Sequence, residues 1–123
     1  MTILQGLNVV SLSVTDLDQA RSFYSDVLGL GKPSFDSPEM GWIEWGGEGE
    51  THLAVMPLTE GKEIGYSTTV VFTVADCAAA VEALRARGVE CSDATPVPGA
   101  VTYATFRDPS GNALQIAGPP PES

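Results

Sequence analysis

The sequence is poor in histidine, cysteine and basic side chains. Its 123 residues include one His and two Cys, and 6 Lys and Arg stand against 16 Asp and Glu. A structural zinc site takes four Cys or His ligands, so Cys77 and Cys91 are expected to be buried free thiols instead. The formal net charge of −10 argues against nucleic acid as a partner, because binding phosphates requires a basic patch.

Long apolar runs and familiar catalytic motifs are also missing. No apolar stretch approaches the length of a membrane span, and residues 1–6 lack the features of a signal peptide. We therefore expect a cytoplasmic protein with no membrane partner. The chain contains no P-loop, no GxGxxG and no visible Ser-His-Asp or Cys-His arrangement. Its length fits one domain, 1–123, and the 43% hydrophobic content is enough for a packed core.

The chain contains an internal repeat. The matching pairs in the two copies are Ser13 and Thr73, Val14 and Val74, Asp16 and Asp76, Ala20 and Ala80, Trp42 and Tyr103, and Trp45 and Phe106. Two copies are too few for a solenoid, which needs at least three repeats. The repeat therefore predicts two paired half-domains that share a cleft, and clefts are where small ligands bind.

Each copy is predicted to have the order βαβββ. The predicted strands are 9–14, 41–45 and 51–56 in the first copy and 69–74, 101–106 and 113–117 in the second, with a weaker strand near 31–35 and near 89–92. Asp16 and Asp76 are N-caps of helices that Gly29 and Gly88 end.

The expected fold class is α+β, with two βαβββ half-domains that form a curved mixed sheet and helices outside it. The half-modules span about 5–58 and 66–117, residues 59–67 join them, and 118–123 form a flexible tail.

Three segments carry a resemblance to a known family. They are residues 12–20 (LSVTDLDQA), 23–30 (FYSDVLGL) and 106–116 (FRDPSGNALQI). With the βαβββ repeat, they make the chain resemble the vicinal oxygen chelate superfamily over about residues 5–117. That superfamily includes glyoxalase I, extradiol dioxygenases, and the fosfomycin- and bleomycin-resistance proteins. Fold does not fix function, so the site has to be argued separately.

The resemblance implies a position for one divalent metal ion, which enzymatic members hold with His, Glu or Gln side chains. The matching positions in this chain are Val9, Thr69, Gln115 and, depending on one alignment gap, either Ala54 or His52. Val9 cannot bind a metal and Thr69 is a poor ligand. His52 and Gln115 remain as weak candidates, with Glu44 as a third, whereas a catalytic zinc normally has three protein ligands. We therefore expect no cofactor; one divalent metal ion is the alternative.

The expected site consists of residues that face the cleft. They are Val9, Ser11, Trp42, Glu44, His52, Ala54, Thr69, Val71, Tyr103 and Gln115. Trp42 and Glu44 share a strand face, and a carboxylate beside an aromatic ring suits an aromatic or cationic guest.

The leading hypothesis is a small-molecule binding protein of the glyoxalase and bleomycin-resistance type, without the family metal site, with antibiotic sequestration as one use. A metal-dependent lyase, isomerase or dioxygenase is the first alternative. An accessory binding module in biosynthesis is the second. Exposed sheet edges and the resemblance to dimeric relatives both favour a homodimer.

Overall fold

The chain repeats one βαβββ arrangement, and each copy has its own four-stranded sheet. The computed structural model describes residues 3, 5–59, 64 and 68–121. The chain divides into two compact units, residues 1–64 and 65–123. The expected fold class, α+β with two βαβββ halves, is confirmed.

The first unit holds four strands and one helical segment. Its elements are β1 (Val9–Val14), α1 (Leu17–Ser22), a π-helical turn (Phe23–Val27), β2 (Phe35–Ser37), β3 (Trp42–Trp45) and β4 (His52–Pro57). The strand order is β1-β4-β3-β2; β1 runs parallel to β4, and the other neighbours are antiparallel.

The second unit repeats this topology. Its elements are β5 (Val70–Thr73), α2 (Cys77–Ala86), β6 (Thr95–Val97), β7 (Val101–Arg107) and β8 (Ala113–Gly118). The strand order is β5-β8-β7-β6, again with one parallel pair, β5 with β8. Among the residues that the structure describes, no helix has the length and hydropathy needed to cross a bilayer.

Both helices begin where the sequence predicts. The Asp16 carboxylate accepts a hydrogen bond from the Gln19 backbone N–H at 3.0 Å, and Asp76 accepts one from Ala79 at 3.1 Å. These bonds satisfy backbone donors that a helix start leaves unpaired. The first helix is α-helical only to Ser22 and then widens into the π-helical turn before Gly29, whose φ is +78°.

One face of each sheet is buried. In the first unit the buried side chains include Leu12, Val14, Tyr24, Ile43, Trp45, Leu53 and Val55; in the second they include Val81, Leu84, Ala104, Phe106, Leu114 and Ile116. The ring centroid of Tyr24 lies 5.4 Å from that of Trp45 and 5.3 Å from that of Phe23. The expected assignment of Phe23 and Tyr24 to the core is confirmed.

The short edge strands are not where the sequence places them. They lie at Phe35–Ser37 and Thr95–Val97 rather than near 31–35 and 89–92. Both are exposed edges, so no apolar alternation marks them, and Pro96 is tolerated there because an edge strand leaves N–H groups unpaired. In the second predicted segment only Cys91 makes a bridge, to Phe106.

The two cysteines differ in burial, and the last strand extends one residue beyond its predicted end. Cys77 is buried and free as expected, but Cys91 is only half-buried because it lies on the loop between α2 and β6. Gly118 does not belong to a tail: it is the buried last residue of β8. The predicted connection at 59–67 lies mostly outside the described residues, as do residues 122–123.

Candidate functional site

The face of the first sheet opposite the buried one carries the predicted site residues of that unit. Side chains alternate across a strand, so Val9, Ser11, Trp42, Glu44, His52 and Ala54 share this face. We call it the binding face. Val9 pairs with His52, and Ser11, Ala54 and Glu44 lie in one row across β1, β4 and β3. Ala54 is completely buried although it lies on this face.

The corresponding face of the second sheet carries the remaining predicted residues. Val71, Gln115 and Thr105 lie in one row, and Tyr103 pairs with Ala117. Val71 is 51% exposed, and Thr69 is an exposed residue just before β5. Because Ser11 pairs with Ala54 as Val71 pairs with Gln115, Ala54 rather than His52 is the internal counterpart of Gln115. That all ten residues line one site stays a prediction.

A chain of hydrogen bonds links three of these side chains. The indole Nε1–H of Trp42 donates to Glu44 Oε1 at 2.8 Å, and His52 Nδ1 lies 2.5 Å from Glu44 Oε2. On the other side of the ring, His52 Nε2 lies 2.8 Å from the carbonyl oxygen of Gly47. We call this the Trp42–Glu44–His52 chain.

The hydrogen bonds of the Trp42–Glu44–His52 chain favour an ionised Glu44 and a protonated His52. A carbonyl and a carboxylate both accept, so both ring nitrogens donate when the imidazole is charged. The hydrogen bond with the Gly47 carbonyl, together with Glu44, raises the pKa of His52 above its ordinary value. The hydrogen bonds from Trp42 and His52 lower the pKa of Glu44. Both shifts favour the ionic form of the pair, in which the two charges offset each other.

Glycines in the β3–β4 loop make room for the imidazole. Gly46 has φ +149°, and a Cβ there would lie 2.3 Å from His52 Cδ2. Glu50 Oε1 accepts from the backbone N–H of Gly47 at 3.1 Å, which holds the loop in place. Sequence reasoning missed Gly46 and Gly47. The run GGEG at residues 46–49, which ends three residues before His52, was the available signal, because glycine marks a close approach of backbone to other atoms.

An open pocket of about 440 Å³ lies beside the ion pair, within the first unit. Glu44, Glu48, Glu50 and His52 line it, together with the exposed Leu7. Three carboxylates against one imidazolium make its lining acidic. Leu7 was not expected here, because residues before β1 show no alternation that would place them.

The side chains of the binding face were compared with the metal ligands that the family resemblance implies. Val9 and Ala54 offer no donor atom, and both nitrogens of His52 already hydrogen-bond to protein oxygens. Within the described part of the chain, no three His, Cys, Asp or Glu side chains are grouped so that they could hold a metal ion.

A known family model matches the sequence of this chain. The family model described as the Glyoxalase/Bleomycin resistance protein/Dioxygenase superfamily matches residues 6–116. No curated protein sequence matches the chain.

Solved structures of similar fold span nearly the whole chain. TnmS3, an antibiotic binding protein from Streptomyces sp. CB03234, is 23% identical with a TM-score of 0.80, covering 97% of this chain and 99% of its own. A superfamily member from Sphaerobacter thermophilus DSM 20745 is 22% identical with a TM-score of 0.78, covering 95% and 99%. A glyoxalase-related enzyme from Fulvimarina pelagi is 25% identical with a TM-score of 0.73, covering 94% and 88%. Repeat, fold and family model agree, and the chain belongs to the Glyoxalase/Bleomycin resistance protein/Dioxygenase superfamily.

Proposed function

We propose that the protein binds a small aromatic or cationic molecule on the binding face of its first sheet, without a metal ion. The Trp42–Glu44–His52 chain is the observation that carries this proposal. Its Glu44 and His52 line the open acidic pocket, and Glu44 accepts the hydrogen bond of the Trp42 indole, which is itself outside the pocket lining. The only imidazole of the protein is used in these hydrogen bonds. Antibiotic sequestration is one use of such a site, and the shared fold with an antibiotic binding protein supports testing antibiotics as guests.

The side chains present do not fit the family's divalent metal. A catalytic zinc site supplies three protein ligands and leaves one position open. Of the family positions in the first unit, Val9 and Ala54 have no donor, and His52 is engaged on both sides. Elemental analysis of the purified protein should therefore find no stoichiometric zinc, nickel or iron.

Two features of the site favour a flat cation. Trp42 is half-buried, and its ring can contribute a cation–π contact of about 0.5–2 kcal/mol. Glu48 and Glu50 add negative charge to the pocket that Glu44, the hydrogen-bond partner of Trp42, also lines. A rigid guest with a positive charge would stack on the indole while its charge lies toward the carboxylates.

The proposal is tested with three probes of matched design. 9-Aminoacridine is a flat aromatic cation, acridine is its uncharged counterpart in mildly alkaline buffer, and tetramethylammonium is a cation without an aromatic ring. We expect 9-aminoacridine to bind best, acridine next and tetramethylammonium least, as measured by calorimetry and tryptophan fluorescence.

Variants assign the binding to the indole. Trp42→Ala should weaken 9-aminoacridine binding about 2- to 30-fold, the range that a cation–π contact supports. Trp45→Phe is the control, because Trp45 lies in the core on the other sheet face. Equal affinities of wild type and folded Trp42→Ala for all three probes would contradict the proposal.

A metal-dependent lyase, isomerase or dioxygenase is the second candidate function. It is favoured by one observation: a carboxylate and an imidazole, both metal-binding groups, lie side by side on β3 and β4. One metal ion per chain, lost in His52→Ala, would establish this alternative and overturn the metal-free site.

A further inference from the structure

We propose that His52 is a positioning residue of the binding face: it acts through Glu44 to hold the indole of Trp42 in the orientation that a flat guest meets. The inference rests on the proposed function of this face. The role of His52 is then to position the indole and not to bind a metal ion.

The strand register explains why Glu44 needs a partner. Glu44 lies directly opposite Ala54 on β4, not opposite His52, which pairs with Val9. The methyl group of Ala54 cannot hydrogen-bond, so the residue directly opposite Glu44 does not fix the carboxylate. His52 supplies the donor from two residues along β4, with Nδ1 2.5 Å from Oε2.

The effect passes from Glu44 to the indole. With Oε2 held by His52, Oε1 is left facing Trp42 Nε1, which donates to it at 2.8 Å. Trp42 and Glu44 are two residues apart on one strand, so their side chains are neighbours on the same face. Without the imidazole, the carboxylate is free to change rotamer, and the indole loses a fixed acceptor.

His52 also makes a second contact with a different consequence. Its Nε2 lies 2.8 Å from the Gly47 carbonyl oxygen, and its ring occupies the space above Gly46 that a Cβ would fill. A residue that merely anchored the β3–β4 loop would act through this contact. The two roles use different ring nitrogens, so two amide substitutions separate them.

The matched pair is His52→Asn and His52→Gln. The amide nitrogen of Asn can reach the position of Nδ1 and donate to Glu44, whereas that of Gln reaches the position of Nε2 and donates to Gly47. Both substitutions remove the same positive charge from the pocket, so their comparison isolates the position of the donor. We expect His52→Gln to bind 9-aminoacridine about 5- to 10-fold more weakly than His52→Asn.

A readout without any guest tests the same point. In nitrogen–proton spectra of labelled protein, the Trp42 indole N–H should exchange with solvent at least several-fold faster in His52→Gln than in His52→Asn. The indole N–H of Trp45 donates to Ser25 Oγ at 3.0 Å and serves as the internal control, unchanged in both variants. This readout stands even if no probe binds, so failure of the proposed function and failure of this inference are distinguishable.

A double-mutant cycle with Glu44→Ala tests whether the effect of His52 passes through Glu44. If His52 acts through Glu44, then His52→Gln and His52→Asn should no longer differ in the exchange of the Trp42 indole or in probe affinity once Glu44 is removed. The reverse order, with His52→Asn impaired and His52→Gln like wild type, would assign His52 to the loop and overturn the inference. Equal behaviour of the two variants, or full additivity with Glu44→Ala, would overturn it as well.

Discussion

Removal of the two tryptophans should have opposite consequences, although they are only three residues apart on β3. Trp45 is 3% exposed, its ring centroid lies 5.4 Å from that of Tyr24, and its indole donates to Ser25. Truncating a buried Trp to Ala costs about 3–5 kcal/mol, because the cavity relaxes only in part. That is a large share of a typical domain stability of about 5–15 kcal/mol. For a chain of this length it corresponds to a fall in melting temperature of about 10–20 °C.

Trp42→Ala should behave differently because Trp42 is half-buried on the binding face. Only part of its surface leaves water on folding, so we expect a cost of about 1–2 kcal/mol and a folded protein with weakened binding. Trp45→Phe, which keeps a ring against Tyr24, should cost clearly less than Trp45→Ala. Circular dichroism melts and 9-aminoacridine titrations should be run on the same samples. A Trp42→Ala protein that unfolds, beside a Trp45→Ala protein that melts like wild type, would refute the assignment of the strand faces.

Two further predictions concern pH and assembly. Folding raises the pKa of His52, so the stability that His52 contributes is complete below pH 6.5, its ordinary pKa, and is lost as pH rises through the raised pKa. Folding lowers the pKa of Glu44, so the stability that Glu44 contributes is complete above pH 4.5, its ordinary pKa, and is lost as pH falls through the lowered pKa. Denaturant titrations across pH should therefore show an alkaline decline in stability that is smaller in His52→Asn. The exposed edge strands β2 and β6 favour a two-fold homodimer, so light scattering at micromolar concentration should give twice the chain mass. A monomer mass would contradict that expectation.

The sequence predicts the elements whose signals are local. Alternation of Val10, Leu12 and Val14 is enough to place β1, and it is confirmed at both ends. Asp16 and Asp76 mark helix starts because capping depends only on residues within one turn. The assignment of Trp42 and Glu44 to one face of β3 needs only the two-residue period of a strand, and that period also puts Trp45 in the core.

The sequence does not predict features that depend on contacts between residues distant in the chain. It also does not predict short edge strands, which carry a weak sequence signal. β2 and β6 are three residues long and exposed, so their pairing with β3 and β7 carries no hydrophobic pattern. The partner of His52 cannot be read from its own strand, because Glu44 reaches it diagonally across the β3–β4 register. The same register makes Ala54, and not His52, the counterpart of Gln115, a choice that one alignment gap leaves open.

The acidic residues near the tryptophans do not act as one group. Asp36 pairs with Arg21 at 2.6 Å, and Glu44 pairs with His52, so two of the five acids between residues 36 and 50 are offset by basic partners. Glu48 and Glu50 line the pocket from the β3–β4 loop. Charge and stacking at this site therefore come from different elements: the loop supplies the net negative charge, and β3 supplies the indole. A guest's charge and its flat surface should accordingly be recognised separately, with Glu44 serving orientation more than attraction.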